Sequence, residues 1–477
     1  MTAFTTLILT GMKISEIIEG SKATILHGDA LTEVSSICCD SRKAAAGALF
    51  IAVKGTAADG SSFVPDAISK GAVAAVETDR EGLARMADIF FGHPSRQLKL
   101  VGITGTNGKT TTVTLLYNLF RAMGYECGLL STIANYVGTR ESEALNTTAD
   151  PITINSLMAE MVQAGCEFCF MEVSSIGVEQ HRCDFLDFNV GIFSNLTHDH
   201  LDYHGTFAEY LRCKKLFFDT LGKEAVAVIN VDDRNGLVMV QNTAARVMSY
   251  SLRRAADHSA RIVEQSMNGM LLRLDGTEVW TRLIGEHNAY NLLAIYCAAL
   301  ALGADRDEVL VGISSLQSAK GRLETLAGPQ GKTVVIDYAH TPDALEHVLE
   351  TLREVEPGKE LVCVFGCGGE RDRSKRPEMA AIAEKLSDRI IVTADNSRSE
   401  KTEDIMEEIC TGFSQAGRAK AICIADRKEA IRAALNFSSP GAVILLAGKG
   451  HENYQITDKG KEHFDEREIC YTIFSKN

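Results

Sequence analysis

The chain has 477 residues, enough for about three domains of ~150 residues and for several separate cores. Its 49 Lys plus Arg against 63 Asp plus Glu leave a formal net charge of −14, which excludes a global positive field for nucleic acid or anionic lipid, so any anionic ligand must be met by local cations. With 45% hydrophobic residues, 23% charged residues and 8 prolines, the composition is that of a globular protein and excludes collagen-like and disordered classes.

The N-terminal run MTAFTTLILTG carries no basic residue before a very short apolar stretch, so neither a signal peptide nor a membrane span is expected. The 13 cysteines are odd in number and scattered through apolar runs, which predicts thiols in a reducing, cytoplasmic setting. Cys166 and Cys169 make the one CxxC, but no second pair accompanies them and the strand-like GCEFCFMEV sends i and i+3 to opposite faces, so core packing is expected.

Along the chain, residues 1–97 alternate short apolar segments with turn signals, SSICCDSR, GALFIAVKG, TAADGSSF and GAVAAVET, and predict a small α/β domain. Residues 98–327 open with the apolar strand LKLVGIT, a glycine turn and a helix from about Thr110 to Met123. Strands at ECGLLST, CEFCFMEVSS, FNVGIFSNL and EAVAVINVD then alternate with helices, the order of a mostly parallel sheet. GRLETLAGPQGK reads as a linker. Residues 328–477 carry five further strands, TVVIDYAH, ELVCVFGCGG, DRIIVTADN, KAICIAD and AVILLAGKG, and predict a Rossmann-like, doubly wound sheet whose ligands sit beyond the strand carboxyl ends. The fold class is α/β with three domains.

Between LKLVGIT and its helix lies Gly105-Thr106-Asn107-Gly108-Lys109-Thr110-Thr111, where backbone N–H groups and the helix dipole can hold phosphate oxygens. Lys109 would reach the β/γ-phosphates and Thr110 would hold Mg²⁺. The general GxxxxGK[ST] pattern requires glycine five positions before Gly108, and Ile103 stands there, so the match is to a variant. A GTPase is the natural rival, but no NKxD is present. Glu172 ends one apolar strand, and another runs into Thr197-His198-Asp199-His200-Leu201-Asp202-Tyr203-His204. Carboxylate and imidazole at strand ends beside a phosphate loop suit a Mg²⁺-nucleotide site, although such clusters elsewhere are mostly polar turns.

GTNGKTT with the segments after it resembles the Mur ligase family, ATP-dependent amide-bond-forming enzymes of peptidoglycan synthesis, along nearly the whole chain. The resemblance implies metal binding by Thr110, Glu172 and His200, and a carbamylated lysine at Lys214 that serves a second Mg²⁺. It gives Asn288, Arg322, Asp337 and His340 to ATP, although Asn288 in GEHNAYN equally suits a helix N-cap. It gives Cys39, Ser41, Thr56, Ala57 and Ala58 to the uridine nucleotide, and Asn146, Thr147, Thr148, Ser174, Gln180 and Arg182 to the muramyl-peptide, with Ile176 standing where the family usually has His.

In the last domain the resemblance assigns Arg371, Asp395, Asn396, Ser397, Arg398, Gly448 and Glu452 to an amino acid. The family signature for diaminopimelate is Asp-Asn-Pro-Arg, and Ser397 replaces its proline, which removes a fixed φ. An arginine fork such as Arg398 suits the distal carboxylate that separates diaminopimelate from lysine. The implied reaction adds meso-diaminopimelate to the D-glutamate γ-carboxylate of UDP-N-acetylmuramoyl-L-alanyl-D-glutamate through an acyl phosphate. A lysine-adding or folylpolyglutamate-type ligase is the nearest alternative, and a P-loop ATPase switch the alternative from another class. No nucleic-acid partner and no membrane insertion are expected, and the chain is expected to be a monomer.

Overall fold

The computed structural model describes residues 11–54, 59–197 and 201–475. The apolar stretch within the first ten residues, Thr56, Ala57, Ala58 and His200 therefore lie outside the described residues. The chain divides into two compact units, one of residues 1–260 and 290–313, the other of residues 261–289 and 314–477.

In the first unit, four short strands order as Thr24–His27, Ala74–Thr78, Ala48–Val53 and Ser36–Cys38. Alternation along these strands separates two cores. Leu49, Ile51 and Val76 pack on Leu83, Met86 and Phe90 of helix Arg80–Phe90, whereas Phe50, Ala52 and Ala75 pack on Ala67 of helix Val64–Ser69. TAADGSSF contributes no strand among its described residues: Asp59 accepts from Ser61 N and caps a 3-10 turn, Gly60–Phe63.

The larger sheet of this unit contains six parallel strands in the order Cys127–Leu130, Phe168–Glu172, Lys99–Thr104, Phe188–Phe193, Val226–Asn230 and Arg246–Ser251. Five of these are the expected apolar runs, continuous because both faces are covered. Chain order reverses on either side of Lys99–Thr104, so the phosphate loop leaves the sheet at a topological switch point, where ligands of such sheets bind. An antiparallel pair, Ala134–Val137 with Arg140–Glu143, extends the edge. The polar run RESE is exposed throughout, and for that reason carries no apolar signal in the sequence.

Helix Pro151–Gln163 of this unit begins where Pro151 presets φ and Asp150 Oδ1 accepts from Ile152 N and Thr153 N, both at 3.1 Å. Asp150→Ala is expected to destabilise the unit by about 1 kcal/mol, the usual value of an N-cap, read as a lower denaturant midpoint.

The second unit carries a six-stranded sheet ordered Glu324–Ala327, Thr333–Asp337, Val443–Ala447, Leu361–Phe365, Arg389–Val392 and Ala421–Cys423. The five expected strands are all present and parallel. The sixth corrects the linker reading of GRLETLAGPQGK: Glu324–Ala327 pairs antiparallel with Thr333–Asp337 across a turn in which Gln330 takes φ 58°. Along Leu361–Phe365, Leu361, Cys363 and Phe365 face helices Pro342–Val355 and Lys375–Leu386, while Val362 and Val364 face helices Arg427–Phe437 and Glu466–Phe474. This is the doubly wound arrangement, with helices on both faces.

Cys166 and Cys169 are buried thiols, and no disulfide forms among the described residues. No helix among them is long and apolar enough to cross a membrane.

Candidate active site

The first unit builds a nucleotide cradle. Helix Lys109–Ala122 starts at Gly108, whose φ of 88° favours glycine and which supplies no side-chain cap; the N-terminal turn of such a helix suits an anion. A Cβ at Gly108 would lie 2.6 Å from Asn291 Oδ1, which also accepts from Thr112 Oγ1 at 3.3 Å. Lys109 Nζ curls back to donate to Gly105 O at 2.9 Å and Thr106 O at 2.8 Å. Asn107 N donates to Asn195 Oδ1, and Asn107 O accepts from Ser194 Oγ at 2.7 Å, which ties the loop to the end of Phe188–Phe193. Thr106, Thr110 and Thr111 are buried.

Glu172 ends the strand beside the one that feeds this loop, paired in register with Ile103. Its side chain is fully buried. Oε1 accepts from Thr132 N at 2.8 Å, whereas Oε2 has no hydrogen-bond partner among the described residues. An unsolvated carboxylate oxygen is costly, and a divalent cation removes that cost. The donors among the described residues, the Glu172 carboxylate and the Thr110 hydroxyl, are oxygens and fit Mg²⁺, which completes its shell with phosphate and water. No three His, Cys, Asp or Glu side chains converge on a metal-sized site among the described residues.

Lys214 projects from helix Phe207–Asp219 to the same loop. It is 1% exposed, donates to Gly105 O at 2.8 Å and lies 4.6 Å from the centre of the Tyr210 ring. Lys215, its neighbour, instead pairs with Asp219 at 2.6 Å.

The residues assigned to the muramyl-peptide also gather in this unit. Thr148 Oγ1 meets Glu172 O and Ser174 Oγ, both at 3.0 Å, and Ser174 caps helix Ser175–Glu179 through Gly177 N. Thr147 Oγ1 accepts from Thr132 Oγ1. Arg182 Nη1 donates to Thr148 O at 2.6 Å and Nη2 to Gln180 Oε1 at 2.7 Å. These contacts tie the peptide segments directly to the strand end that carries Glu172. Ile176 is half-buried in the short helix, and Asn146 is exposed. Elsewhere in the unit, Cys39 is exposed and Ser41 is buried at the 3-10 turn Ser41–Lys43. His204, part of the histidine-rich segment but not assigned a role from it, is buried with Nε2 2.9 Å from Ser175 Oγ.

The second unit holds two groups of assigned residues. At the end of strand Thr333–Asp337, Asp337 Oδ2 accepts from Leu323 N and Oδ1 from Ala339 N. Burial pushes its carboxyl above the usual range, opposed by Arg322 and these N–H groups. The Arg322 guanidinium lies 5.1 Å from the Tyr338 ring, which His340 and His451 flank at 4.6 and 4.8 Å. Burial and the neighbouring Arg322 push His451 down to about 4, so this imidazole is neutral near pH 7. Asn288 is neither the first helical residue nor a cap. Gly285, at φ 87°, lets the helix begin at Glu286, and Asn288 Nδ2 donates to Ile284 O at 2.9 Å.

The other group surrounds the loop after Arg389–Val392. Arg398 takes φ 54° and donates through Nη1 to Gly369 O at 2.7 Å, while its N–H donates to Ile456 O. A Cβ at Gly368 would lie 3.1 Å from Arg398 Nη1 and 3.7 Å from Arg371 Cγ, so both arginines meet there. Ser397 is 5% exposed and its carbonyl accepts from Glu400 N, so the loop is held without the proline. Asn396 Nδ2 donates to Glu452 Oε2 at 2.9 Å. Gly448, at φ 113°, would place a Cβ 2.9 Å from Asp395 Oδ2.

Three cations here escape sequence reading. Arg376, fully buried, joins Glu400, Glu408 and Gly368 O. Arg427 pairs with buried Glu466 and donates to Ala394 O and Ala447 O, linking two strand ends. Lys449 meets Asn396 and Glu452. Each resembles an ordinary surface cation in sequence, because burial is a property of the fold.

Family models match three successive stretches: Mur ligase family, catalytic domain, over residues 33–106; Mur ligase middle domain over 103–299; and Mur ligase, glutamate ligase domain, over 321–450. The chain is 47% identical to UDP-N-acetylmuramoyl-L-alanyl-D-glutamate--2,6-diaminopimelate ligase of Parabacteroides distasonis, covering 97% of this chain and 99% of the relative. It is 38% identical to the ligase of the same name from Geobacillus kaustophilus, covering 96% and 98%. A solved structure of a ligase with that name superposes with a TM-score of 0.71 at 29% identity, covering 98% of this chain and 99% of that one. With a phosphate loop at a sheet switch point, an orphaned buried carboxylate beside it and relatives matched from end to end, this chain belongs to the Mur ligase family.

Proposed function

We propose that the protein adds meso-diaminopimelate to the D-glutamate γ-carboxylate of UDP-N-acetylmuramoyl-L-alanyl-D-glutamate, with ATP converted to ADP and phosphate. The observation that carries this reading is the end-to-end 47% identity to a ligase named for those substrates. The Arg398 loop supports it, since a guanidinium anchored through one nitrogen still presents its fork to a carboxylate. The division of labour is residues 1–97 for the uridine nucleotide, 98–327 for ATP and the reacting carboxylate, and 328–477 for the amino acid.

The γ-carboxylate attacks the γ-phosphorus of ATP, ADP departs, and an acyl phosphate remains. The amine then attacks the acyl carbon and phosphate leaves, forming the amide. The phosphorylation step is needed because a free carboxylate is a poor acyl donor, and phosphate supplies its leaving group. Lys109 and the first-turn N–H groups of its helix hold the phosphate oxygens. Arg182, anchored by Thr148 and Gln180, meets the peptide carboxylates. Arg322, Asp337, His340 and Asn288 contact the nucleotide. Glu172, Thr110, His200 and a carbamate on Lys214 would hold Mg²⁺, which neutralises charge in phosphoryl transfer.

Phosphate release in a coupled assay tests the reading. Release is expected only when the UDP-muramyl-dipeptide and diaminopimelate are both present. Release that needs neither would establish an ATPase switch, and release with lysine in place of diaminopimelate would overturn the amine assignment alone.

A further inference from the structure

Lys449 has no exposed surface. Its ammonium faces three oxygen acceptors, Asn396 Oδ1 at 3.1 Å, Glu452 Oε2 at 3.2 Å and Asp395 Oδ1 at 3.5 Å. An ammonium has three donors and no acceptor, so the match is complete. The acceptors come from two separate segments, one after strand Arg389–Val392 and one after Val443–Ala447. No neutral side chain of that reach supplies three donors to them.

This arrangement determines which way Asn396 points. Its Oδ1 accepts from Lys449 Nζ and also from Ile456 N at 2.9 Å, which turns Nδ2 toward Glu452 Oε2 at 2.9 Å. Glu452 Oε2 is thereby engaged twice, by Lys449 and by Asn396. Oε1 has a long contact to Tyr454 Oη, at 3.5 Å. The carboxylate is held in one rotamer with one oxygen turned from the buried cation. Asp395 shows the same influence: burial pushes its carboxyl up, yet Lys449 and Arg427 outweigh burial and leave it lowered.

We propose that Lys449 is a positioning residue for the amine substrate, holding Asn396 and Glu452 in the orientation that receives an amino-acid head group. The proposal rests on the ligase reading above. Without the ammonium, Asp395 and Glu452 repel each other and Asn396 Oδ1 keeps Ile456 N as its one donor among these groups.

Steady-state kinetics of Lys449→Met, with each substrate varied in turn, tests this. The expected result is an amine KM raised about 30-fold, the scale for removing one partner of a buried charge pair, with KM for ATP and for the UDP-muramyl-dipeptide within about twofold and kcat at saturating amine within about threefold. Lys449→Gln keeps an N–H donor and is expected to recover part of the loss. An unchanged amine KM, or all three KM values rising together, would overturn the proposal. If Lys449→Met does not fold, Lys449→Gln carries the test by the same criteria. Wild-type protein that turns over lysine and not diaminopimelate would sink the selectivity reading alone, and the Lys449 variants are then measured with lysine.

Discussion

Replacing Lys214 by alanine is expected to lower kcat by about a thousandfold, the upper scale for losing one electrostatic contact to a developing charge, while KM for the amine stays near its wild-type value. The lysine is 1% exposed and reaches the phosphate loop through Gly105 O, a position where a permanent cation is expensive. Reaction of the neutral amine with CO₂ forms an N–C bond, releases one proton and leaves an anion in place of the cation. Such a group would supply an oxygen ligand for Mg²⁺, as Glu172 would through Oε2, which has no hydrogen-bond partner among the described residues. Native mass spectrometry in bicarbonate buffer checks the modification directly: wild type gains the mass of one CO₂ and the variant does not. A short carboxylate added to the variant is expected to restore part of the activity. Full activity of the variant, with and without CO₂, would eliminate the carbamate.

Truncating Arg398 to alanine should cost diaminopimelate about 1.5–3 kcal/mol of charged hydrogen bonding, or roughly 10- to 150-fold in kcat/KM. The residue adopts the left-handed conformation, its N–H is bonded to Ile456 O and its Nη1 to Gly369 O. Among the described residues nothing bonds to Nε or Nη2, the remaining edge of the fork. Lysine lacks the distal carboxylate and would leave that edge unpaired, which is how a polar site rejects an analogue missing one group. Parallel assays with the two amines therefore separate the effects: the variant loses diaminopimelate turnover and gains no comparable penalty with lysine. Equal use of diaminopimelate by variant and wild type would refute the assignment.

The readable features were those encoded locally. A continuous apolar strand, a glycine turn and a helix with Lys109 at its start are contiguous in sequence, and the structure forms them as Lys99–Thr104 and Lys109–Ala122. The five parallel strands of the second unit were legible for the same reason, since strands covered on both faces are unbroken apolar runs. Strands with a polar face were not. Arg140–Glu143 is exposed along its length and drew no reading from the sequence, and Glu324–Ala327, which alternates half-buried or buried with exposed positions, read as linker. Asn288 shows a different failure: the dipeptide context suited a cap, but the positive φ of Gly285 moved the helix start two residues earlier.

By itself, the sequence determined the α/β class, the phosphate loop, the continuous apolar strands and, through its resemblance, the family. Those follow from short-range spacing, hydrophobic period and motif. Only the tertiary structure decided which polar groups lose their water. Among the described residues it left Glu172 Oε2 without a partner, buried Lys214 against the loop, set Arg376 and Arg427 as internal struts and gave Lys449 three acceptors from two segments. The excess of negative charge in the composition is silent on these sites, because desolvation depends on what packs around a charge and not on how many charges the chain carries.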